Sequence, residues 1–273
     1  MSSLLAHQLV ESPRGPTTRL VLFCHGVFGM GTNWRTVAKT LASRFDGLGA
    51  VLVDLRGHGG TPPLEPPHDL DAAADDVVRV IEAQSLPVVS LVGHSFGGKV
   101  VLDVLDRRPR IVGSAFIVDS MPGPRAMDPE SESAAQVLGI LESLPATLES
   151  REAFKAELAR RGLAAATIDW LAMNVRREGD GYALRLDLPA IRSMLVDYFN
   201  RDLWDVVDDP RSVDRLSLII AGKSTVFDSD ARARAREAAA KNPNLEVTTL
   251  PASGHWVHVD DPEGLLAAVS ARL

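Results

Sequence analysis

Short apolar runs alternate along the chain with segments whose apolar residues recur at helical spacing. Five runs are almost continuously apolar and a sixth alternates more; they cover residues 20–24, 50–53, 88–92, 115–118 and 216–221, with the alternating run at 245–250. Strands that are buried on both faces have this continuous pattern, and parallel strands joined by helices are buried in this way. The pattern therefore predicts an α/β fold with a mostly parallel central sheet flanked by helices.

The middle of the chain, residues 121–212, departs from this alternation. Its apolar residues follow helical spacing, and none of its segments is convincing as a core strand. One predicted helical stripe consists of Ile168, Leu171 and Val175. We expect residues 1–120 and 213–273 to form the core, with residues 121–212 inserted as a helical cap above the carboxyl ends of the strands, where such sheets bind ligands.

Composition and charge exclude several classes of function. The chain has 45% hydrophobic and 24% charged residues, the usual balance of a globular protein, and a formal net charge of −7. This acidic balance provides no basic field for nucleic acid. No run of 18 apolar residues is present, so we expect no membrane span. The first residues lack the features of a secretory signal, which makes the cytoplasm the expected location.

One glycine-rich segment carries a recognisable chemistry. Gly93-His-Ser-Phe-Gly-Gly-Lys99 follows a predicted strand and opens a predicted helix, the context in which G-x-S-x-G forms a nucleophile elbow with Ser95 at its tip. The backbone N–H of Phe96 would then point toward negative charge that develops on a substrate. The same letters match most of a phosphate-binding loop, but Val100 stands where that loop needs a serine or threonine. A purely structural glycine-rich turn is the other alternative.

A serine nucleophile needs a base and an acid that orients the base. His255 follows the last predicted strand and fits the chain order serine, acid, histidine. The acid stays open between two residues, Asp119 at the end of the run 115–118 and Asp228 farther on. We favour Asp119 because its strand adjoins the strand that carries the serine. Capping of the following helix, beside Asp230, is a sufficient alternative role for Asp228.

The loop after the first run predicts the rest of the site. His25-Gly-Val-Phe-Gly29 can supply a second oxyanion-binding N–H from Val27 or, as the less favoured alternative, from Phe28. We expect His25 to position this loop, and we expect the segment from Asp54 to Gly59 to lock its own loop by hydrogen bonds. Cys24, the single cysteine, lies in an apolar run and is expected to be a buried structural thiol.

Aromatic and methionine side chains suggest an apolar substrate pocket. The candidates for substrate contact are Phe28, Trp170, Met194 and Trp256, and the middle segment also offers Met127, Met173, Phe199 and Trp204. Each of these side chains could equally belong to the core of the cap. His255 and His258 form an H-x-x-H pair without an evident third ligand, so we expect no metal, and we expect no cofactor.

These motifs together resemble the α/β-hydrolase superfamily over nearly the whole chain. The residues at 25–29, Lys99 and the residues at 254–258 resemble in particular the YbfF-type bacterial esterases and related mitochondrial abhydrolase-domain proteins. That family places its acid directly after the strand that follows the elbow helix, which implies Asp119. The departures are Phe96, where relatives commonly carry Met, and the loop 222–225.

The resemblance implies hydrolysis of a small carboxylic ester or thioester through an acyl-enzyme, by Ser95, His255 and Asp119. Two alternatives share the scaffold. One is a cofactor-free perhydrolase or haloperoxidase that would use the same three residues. The other is a module that binds a small ligand without catalysis.

Overall fold

The computed structural model describes residues 3–125 and 134–273. The strands in these residues are β1 (His7–Val10), β2 (Arg19–Cys24), β3 (Leu48–Val53), β4 (Val88–His94), β5 (Ser114–Val118), β6 (Val175–Glu178), β7 (Gly181–Leu184), β8 (Arg215–Ala221) and β9 (Leu245–Leu250). The helices are α1 (Arg35–Arg44), α2 (Leu70–Ala83), α3 (Phe96–Arg107), α4 (Ala134–Glu142), α5 (Arg151–Arg160), α6 (Ala165–Leu171), α7 (Leu188–Asn200), α8 (Trp204–Asp208), α9 (Ser229–Lys241), α10 (Val257–Asp260) and α11 (Pro262–Ser270).

Seven strands form the central sheet, in the order β1-β3-β2-β4-β5-β8-β9. Neighbours are parallel except β1, which pairs antiparallel with β3 at the edge. The predicted mostly parallel sheet with flanking helices is confirmed. The sequence pattern missed β1 because this edge strand is largely exposed and has no continuous apolar run.

Both faces of the sheet are covered, which explains the continuous apolar runs. On β2, Val21 and Phe23 pack into a core layer with α1 and α11. The alternate residues Leu20 and Leu22 pack into a second layer with α2, α3 and α9. Successive side chains of a strand point to opposite faces, so a strand between two helical layers needs apolar residues at every position.

We call the part of the chain between β5 and β8 the inserted segment. Its described part contains α4 to α8 and a separate two-stranded sheet of β6 and β7. The helix predicted through Val175 is wrong, because α6 ends at Leu171 and Val175 pairs with Leu184 in the hairpin. Gly179, at a φ of 57°, lies in the reversal between the two strands. Met127 lies outside the described residues.

The parallel strands bring the predicted site residues to one edge of the sheet. Ser95 directly follows β4, Asp119 directly follows β5, and His255 lies in the loop after β9. The carboxyl ends of neighbouring parallel strands open onto the same edge, so these side chains can meet. In the part of the chain described, no helix combines the length and apolar character needed to cross a membrane.

Candidate active site

Ser95 occupies a strained turn between β4 and α3. Its φ is 51° and its ψ is −120°, a conformation that is uncommon for a residue with a side chain. Glycine is needed two positions before and two positions after Ser95, because a side chain there would collide with the backbone. A Cβ on Gly93 would lie 2.3 Å from the Gly97 carbonyl oxygen, and a Cβ on Gly97 would lie 2.5 Å from the His25 carbonyl oxygen. The turn leaves the Ser95 side chain partly exposed above the sheet.

His255 bridges Ser95 and Asp119. Its Nε2 lies 3.2 Å from Ser95 Oγ, and its Nδ1 lies 2.7 Å from Asp119 Oδ2. The Asp119 side chain is 0% exposed, and its second oxygen accepts a hydrogen bond of 3.1 Å from the Ala221 N–H. A carboxylate on Nδ1 keeps the proton on that nitrogen, so Nε2 is free to accept the Ser95 proton.

His94, the residue before Ser95, holds the backbone of the loop that carries His255. His94 is buried, and its Nε2 donates to the His255 carbonyl oxygen over 2.8 Å. Because a carbonyl only accepts, this contact fixes the proton of His94 on Nε2. Burial, together with the charges of His255 and His258, lowers the pKa of His94 well below its usual value. His94 therefore stays neutral beside His255.

Asp228, the alternative acid, has a different position. It is the N-cap of α9, where its Oδ1 accepts a hydrogen bond of 2.8 Å from the Ala231 N–H. The cap is Asp228 and not Asp230, because the helix begins at Ser229. Asp119 therefore contacts His255, whereas the Asp228 carboxylate caps the first turn of α9.

The turn after β2 passes directly beside Ser95. A Cβ on Gly26 would lie 3.3 Å from the Ser95 Cβ, so glycine lets the two backbones approach. The Val27 N–H makes no hydrogen bond among the loop and turn contacts of the described residues, and the Phe96 N–H opens α3, where the first N–H groups have no acceptor within the helix. The alternative donor Phe28 is not supported, because its N–H already donates to His58 Nε2 over 3.0 Å.

His25 and His58 join two loops reciprocally. His25 Nε2 accepts from the Leu55 N–H at 2.9 Å, just as His58 Nε2 accepts from Phe28. Each ring then donates its Nδ1 proton within its own loop, His25 to Gly26 and His58 to Arg56, in both cases over 2.7 Å. Burial lowers the pKa of His25 to about 4 and of His58 to about 3. Both rings are therefore neutral near pH 7 and hold the turn in place.

A cavity of about 520 Å³ opens in front of Ser95. Three predicted contact residues, Phe28, Trp170 and Trp256, line it. The Trp170 ring centroid lies 5.1 Å from that of Trp256 and 6.2 Å from that of Phe28, so an aromatic wall connects the inserted segment to the core. The prediction for Met194 is wrong, because its side chain is 1% exposed and packs inside the hydrophobic core.

Comparison with known protein families classifies the chain. The model of the alpha/beta hydrolase family matches residues 21–269. The chain belongs to this family. The family membership expected from the motifs is confirmed for almost the whole length of this α/β-hydrolase.

Relatives of this α/β-hydrolase include named esterases and lipases. It is 28% identical to the sn-1-specific diacylglycerol lipase ABHD11 of Mus musculus, over 94% of this chain and 81% of that protein. It is 23% identical to esterase YbfF of Escherichia coli K12, over 93% of this chain and 92% of that protein. The solved structure of a marine microorganism esterase superposes with a TM-score of 0.84 at 21% identity, covering 99% of both chains, which establishes the common fold.

The alternative of a phosphate-binding loop is not supported in this α/β-hydrolase. The Lys99 ammonium group is buried and donates to the carbonyl oxygens of Gly123, Tyr198 and Arg201 at 2.8, 2.7 and 2.9 Å. All three of its protons are therefore used within the protein. Cys24 is buried as expected, and burial raises the pKa of its thiol far above the usual range.

Two residues of the inserted segment approach the site without having been predicted. Asn174 is buried, and its side-chain N–H donates to the Phe28 carbonyl oxygen over 2.7 Å. Tyr198 is buried against Phe96, with ring centroids 5.7 Å apart. The apolar spacing of Ile191, Leu195 and Tyr198 predicts a helix with a buried face, which α7 has, but spacing does not indicate a contact with Phe96. Among the described residues no group of three His, Cys, Asp or Glu side chains has a geometry suited to a metal ion.

Proposed function

We propose that this α/β-hydrolase cleaves carboxylic esters through an acyl-enzyme intermediate, with Ser95 as nucleophile. The observation that carries the proposal is the bridge that His255 makes between Ser95 Oγ and the buried Asp119 carboxylate. A hydroxyl is a weak nucleophile on its own, and a hydrogen-bonded imidazole oriented by a carboxylate is the general means of activating it.

In the first half-reaction Ser95 Oγ attacks the ester carbonyl carbon while its proton moves to His255 Nε2. The carbonyl oxygen becomes an oxyanion, and the N–H groups of Val27 and Phe96 are the proposed donors to it. Each such donor typically contributes about 10²–10³-fold to the rate. Asp119 stabilises the imidazolium, which then protonates the departing alcohol as the carbon–oxygen bond breaks.

In the second half-reaction a water molecule attacks the acyl-enzyme. His255 accepts a proton from that water, and the same two N–H groups stabilise the second oxyanion. The imidazolium then returns its proton to Ser95 Oγ as the acid product leaves. Only one base is needed for both steps, because the imidazole is regenerated between them.

The cavity supports an uncharged acyl group as the specificity element. Phe28, Trp170 and Trp256 present apolar surface, with Val137 of α4 on the same lining. No lysine or arginine occurs among the described residues that line the cavity, so a carboxylate or phosphate close to the ester would find no counter-charge. The names of the relatives, an esterase and a diacylglycerol lipase, agree with an ester as the scissile group.

The inserted segment is proposed to act as a cap over Ser95. Its helices α4 and α6 supply Ala134, Val137, Thr167 and Trp170 to the cavity lining. A cover of this kind excludes bulk water from the oxyanion and selects substrates by shape.

Labelling with a fluorophosphonate probe tests the proposal. We expect wild-type protein to be labelled and Ser95→Ala not to be labelled. Asp119→Asn should slow labelling and ester hydrolysis by about 10⁴-fold, as loss of the orienting carboxylate does in another serine hydrolase. Asp228→Asn is the matched control, since it removes the carboxylate, keeps a side-chain oxygen that can cap α9 and does not touch His255, so it should leave the rate of labelling near that of wild type.

Two results would contradict the proposal. One is folded wild-type protein that neither reacts with the probe nor hydrolyses p-nitrophenyl acetate, which is small enough to enter the cavity without an open cap. The other is a loss of rate in Asp228→Asn that equals or exceeds the loss in Asp119→Asn, which would assign the acid to the other residue.

A further inference from the structure

His258 is the histidine of the H-x-x-H pair that has no part in the proposed reaction. It lies in α10, three residues after His255, and it lines the cavity in front of Ser95. Its ring centroid lies 5.4 Å from that of His94 and 5.2 Å from that of the buried Trp34. Contact with these two rings holds the His258 side chain in place at the wall of the cavity.

The two ring nitrogens of His258 have different surroundings. Nδ1 is buried and has no hydrogen-bond partner among the described residues. Nε2 makes no hydrogen bond to the described residues either, but unlike Nδ1 it is not shut off from open space. Because His258 lines the cavity, Nε2 is the nitrogen that faces into it.

Burial determines the charge of the His258 ring and the position of its proton. Burial and the charge of His255 lower the pKa of His258 to about 4, against a smaller opposite effect of the Asp260 carboxylate, so the ring is neutral near pH 7. A neutral imidazole carries one N–H, and a buried N–H without an acceptor is rare in proteins. The proton is therefore on Nε2, which gives the cavity wall a neutral N–H donor.

This donor lies on the side of the cavity that receives the alcohol part of the ester. In the proposed reaction His255 protonates the departing oxygen, so that oxygen and the chain attached to it lie against the side chains around His255. His94, whose ring centroid is 4.8 Å from that of His255, is one of these side chains, and His258 packs against His94. The alcohol part of the ester therefore passes the N–H of His258.

The charges on the cavity wall restrict which group can meet this donor. Asp260 also lines the cavity, and its Oδ2 accepts a hydrogen bond of 2.8 Å from the Gly254 N–H. No lysine or arginine lines the cavity among the described residues, so an anionic group would meet the Asp260 carboxylate without a counter-charge. An uncharged acceptor oxygen is the group that suits a neutral N–H in these surroundings.

We propose that His258 is a specificity-determining residue, whose Nε2–H donates to an uncharged acceptor oxygen in the alcohol part of the ester. The inference rests on the proposed function of Ser95 and names a class of substrate for it. This class is esters of alcohols that carry an ether, carbonyl or hydroxyl oxygen a few bonds from the scissile bond. A purely alkyl alcohol displaces water from the N–H and leaves this donor unpaired, which is unfavourable.

Two esters that differ at one position test the inference. Methoxyethyl butanoate and butyl butanoate have alcohols of equal length, and an ether oxygen in the first replaces a methylene in the second. We expect His258→Phe to lower the ratio of kcat/KM for the methoxyethyl ester to that for the butyl ester by about 5- to 10-fold, the effect of a single hydrogen bond. The intrinsic reactivities of the two esters are the same with both proteins and cancel in this comparison.

Two further variants serve as controls. His258→Gln keeps a side-chain N–H and should keep most of the preference for the methoxyethyl ester. His7→Phe makes the same chemical change in the exposed strand β1, outside the cavity lining, and should leave the hydrolysis of both esters unchanged.

The outcomes separate the inference from the proposed function. A ratio that is equal in His258→Phe and wild type would overturn the inference alone. A fall of both kcat/KM values by the same factor would assign His258 a structural role, and labelled wild-type protein that hydrolyses neither ester would exclude this class of substrate; both results would also overturn the inference. Wild-type protein that is neither labelled by the fluorophosphonate nor active on any ester would overturn the proposed function.

A second measurement does not require His258→Phe to fold. Nitrogen NMR of wild-type protein labelled with ¹⁵N-histidine distinguishes the ring nitrogen that carries the proton from the one that does not. We expect the proton of His258 on Nε2 near neutral pH, with the signals assigned by their loss in His258→Gln. A proton on Nδ1 would leave the cavity wall without this donor and would overturn the inference.

Discussion

Replacing His58 by glutamine tests whether the neutral form of the buried histidine pair holds the turn beside Ser95. Glutamine can still present an oxygen to the Phe28 N–H, but it carries no group that titrates in this range. His58 is 1% exposed and sits 5.0 Å from His25, centre to centre. The perturbation therefore removes one titrating ring while the fold around it can be kept.

The magnitude follows from the pKa of His58. Burial, with the charge of His25 as a second cause, lowers this pKa from 6.5 to about 3. The folded state thus disfavours the proton, and the unfolded chain takes it up as the pH falls below 6.5. The stability that the neutral ring contributes is fully present above pH 6.5 and is lost progressively as the pH falls toward 3. At pH 5.0 the loss is about 2 kcal/mol.

Urea unfolding followed by tryptophan fluorescence, at pH 7.5 and pH 5.0, measures this difference. At pH 7.5 we expect His58→Gln to be less stable than wild type, because the hydrogen bond to the Arg56 carbonyl is lost. At pH 5.0 the difference in the free energy of unfolding between the two proteins should be smaller by about 2 kcal/mol. Other titrating groups are common to both proteins and cancel in the comparison.

Leu55→Ala is the control for this experiment. Leu55 is 0% exposed in the same loop, and its truncation should destabilise by about 2–5 kcal/mol without removing a titrating group. The difference in free energy of unfolding between Leu55→Ala and wild type should be the same at both pH values. A gap for His58→Gln that does not change with pH would refute the conclusion that the folded protein keeps His58 neutral.

Three other substitutions test the packing around the site. Gly97→Ala places a Cβ 2.5 Å from the His25 carbonyl oxygen, so we expect about 1–3 kcal/mol of destabilisation in urea unfolding and a large loss of labelling rate as the turn beside Ser95 moves. Trp170→Ala removes the aromatic bridge to Trp256 and should raise the ratio of kcat/KM for p-nitrophenyl decanoate to that for the acetate by about tenfold. Lys99→Met leaves three carbonyls without a donor and should lower stability by at least about 3 kcal/mol, measured by thermal unfolding. An unchanged stability in Lys99→Met, or an unchanged ester ratio in Trp170→Ala, would contradict the corresponding contact.

Local pattern was sufficient to predict the sheet and the elbow. Each apolar run that was expected to form a core strand lies in the central sheet, because burial on both faces demands apolar residues at consecutive positions. The glycines around Ser95 were predictable for a similar reason, since the close approach at Gly93 and Gly97 excludes side chains whatever the rest of the chain does. Exposed β1 and the hairpin of β6 and β7 were missed, because neither produces a continuous apolar run.

The geometry around His255 was only partly contained in the sequence. Two acids follow strands in the right chain order, and either could have been proposed from sequence. Contact decides between the two positions: Asp119 lies against His255, while Asp228 caps α9. The resemblance to known hydrolases favoured Asp119 in advance, but spacing along the chain could not, because the strand order brings residues 136 apart within 2.7 Å.

By itself the sequence determined which apolar runs form buried strands of the central sheet, where the chain turns sharply beside Ser95, and that a serine, a histidine and acids follow the strands. Only the tertiary structure decided that the Phe28 N–H is occupied by His58, that Met194 lies in the core while Trp170 lines the cavity, and that Tyr198 packs against Phe96. The physical reason is the range of each effect. Periodicity and backbone strain act over a few neighbouring residues, whereas a hydrogen-bond partner or a cavity wall depends on how separate elements pack against one another.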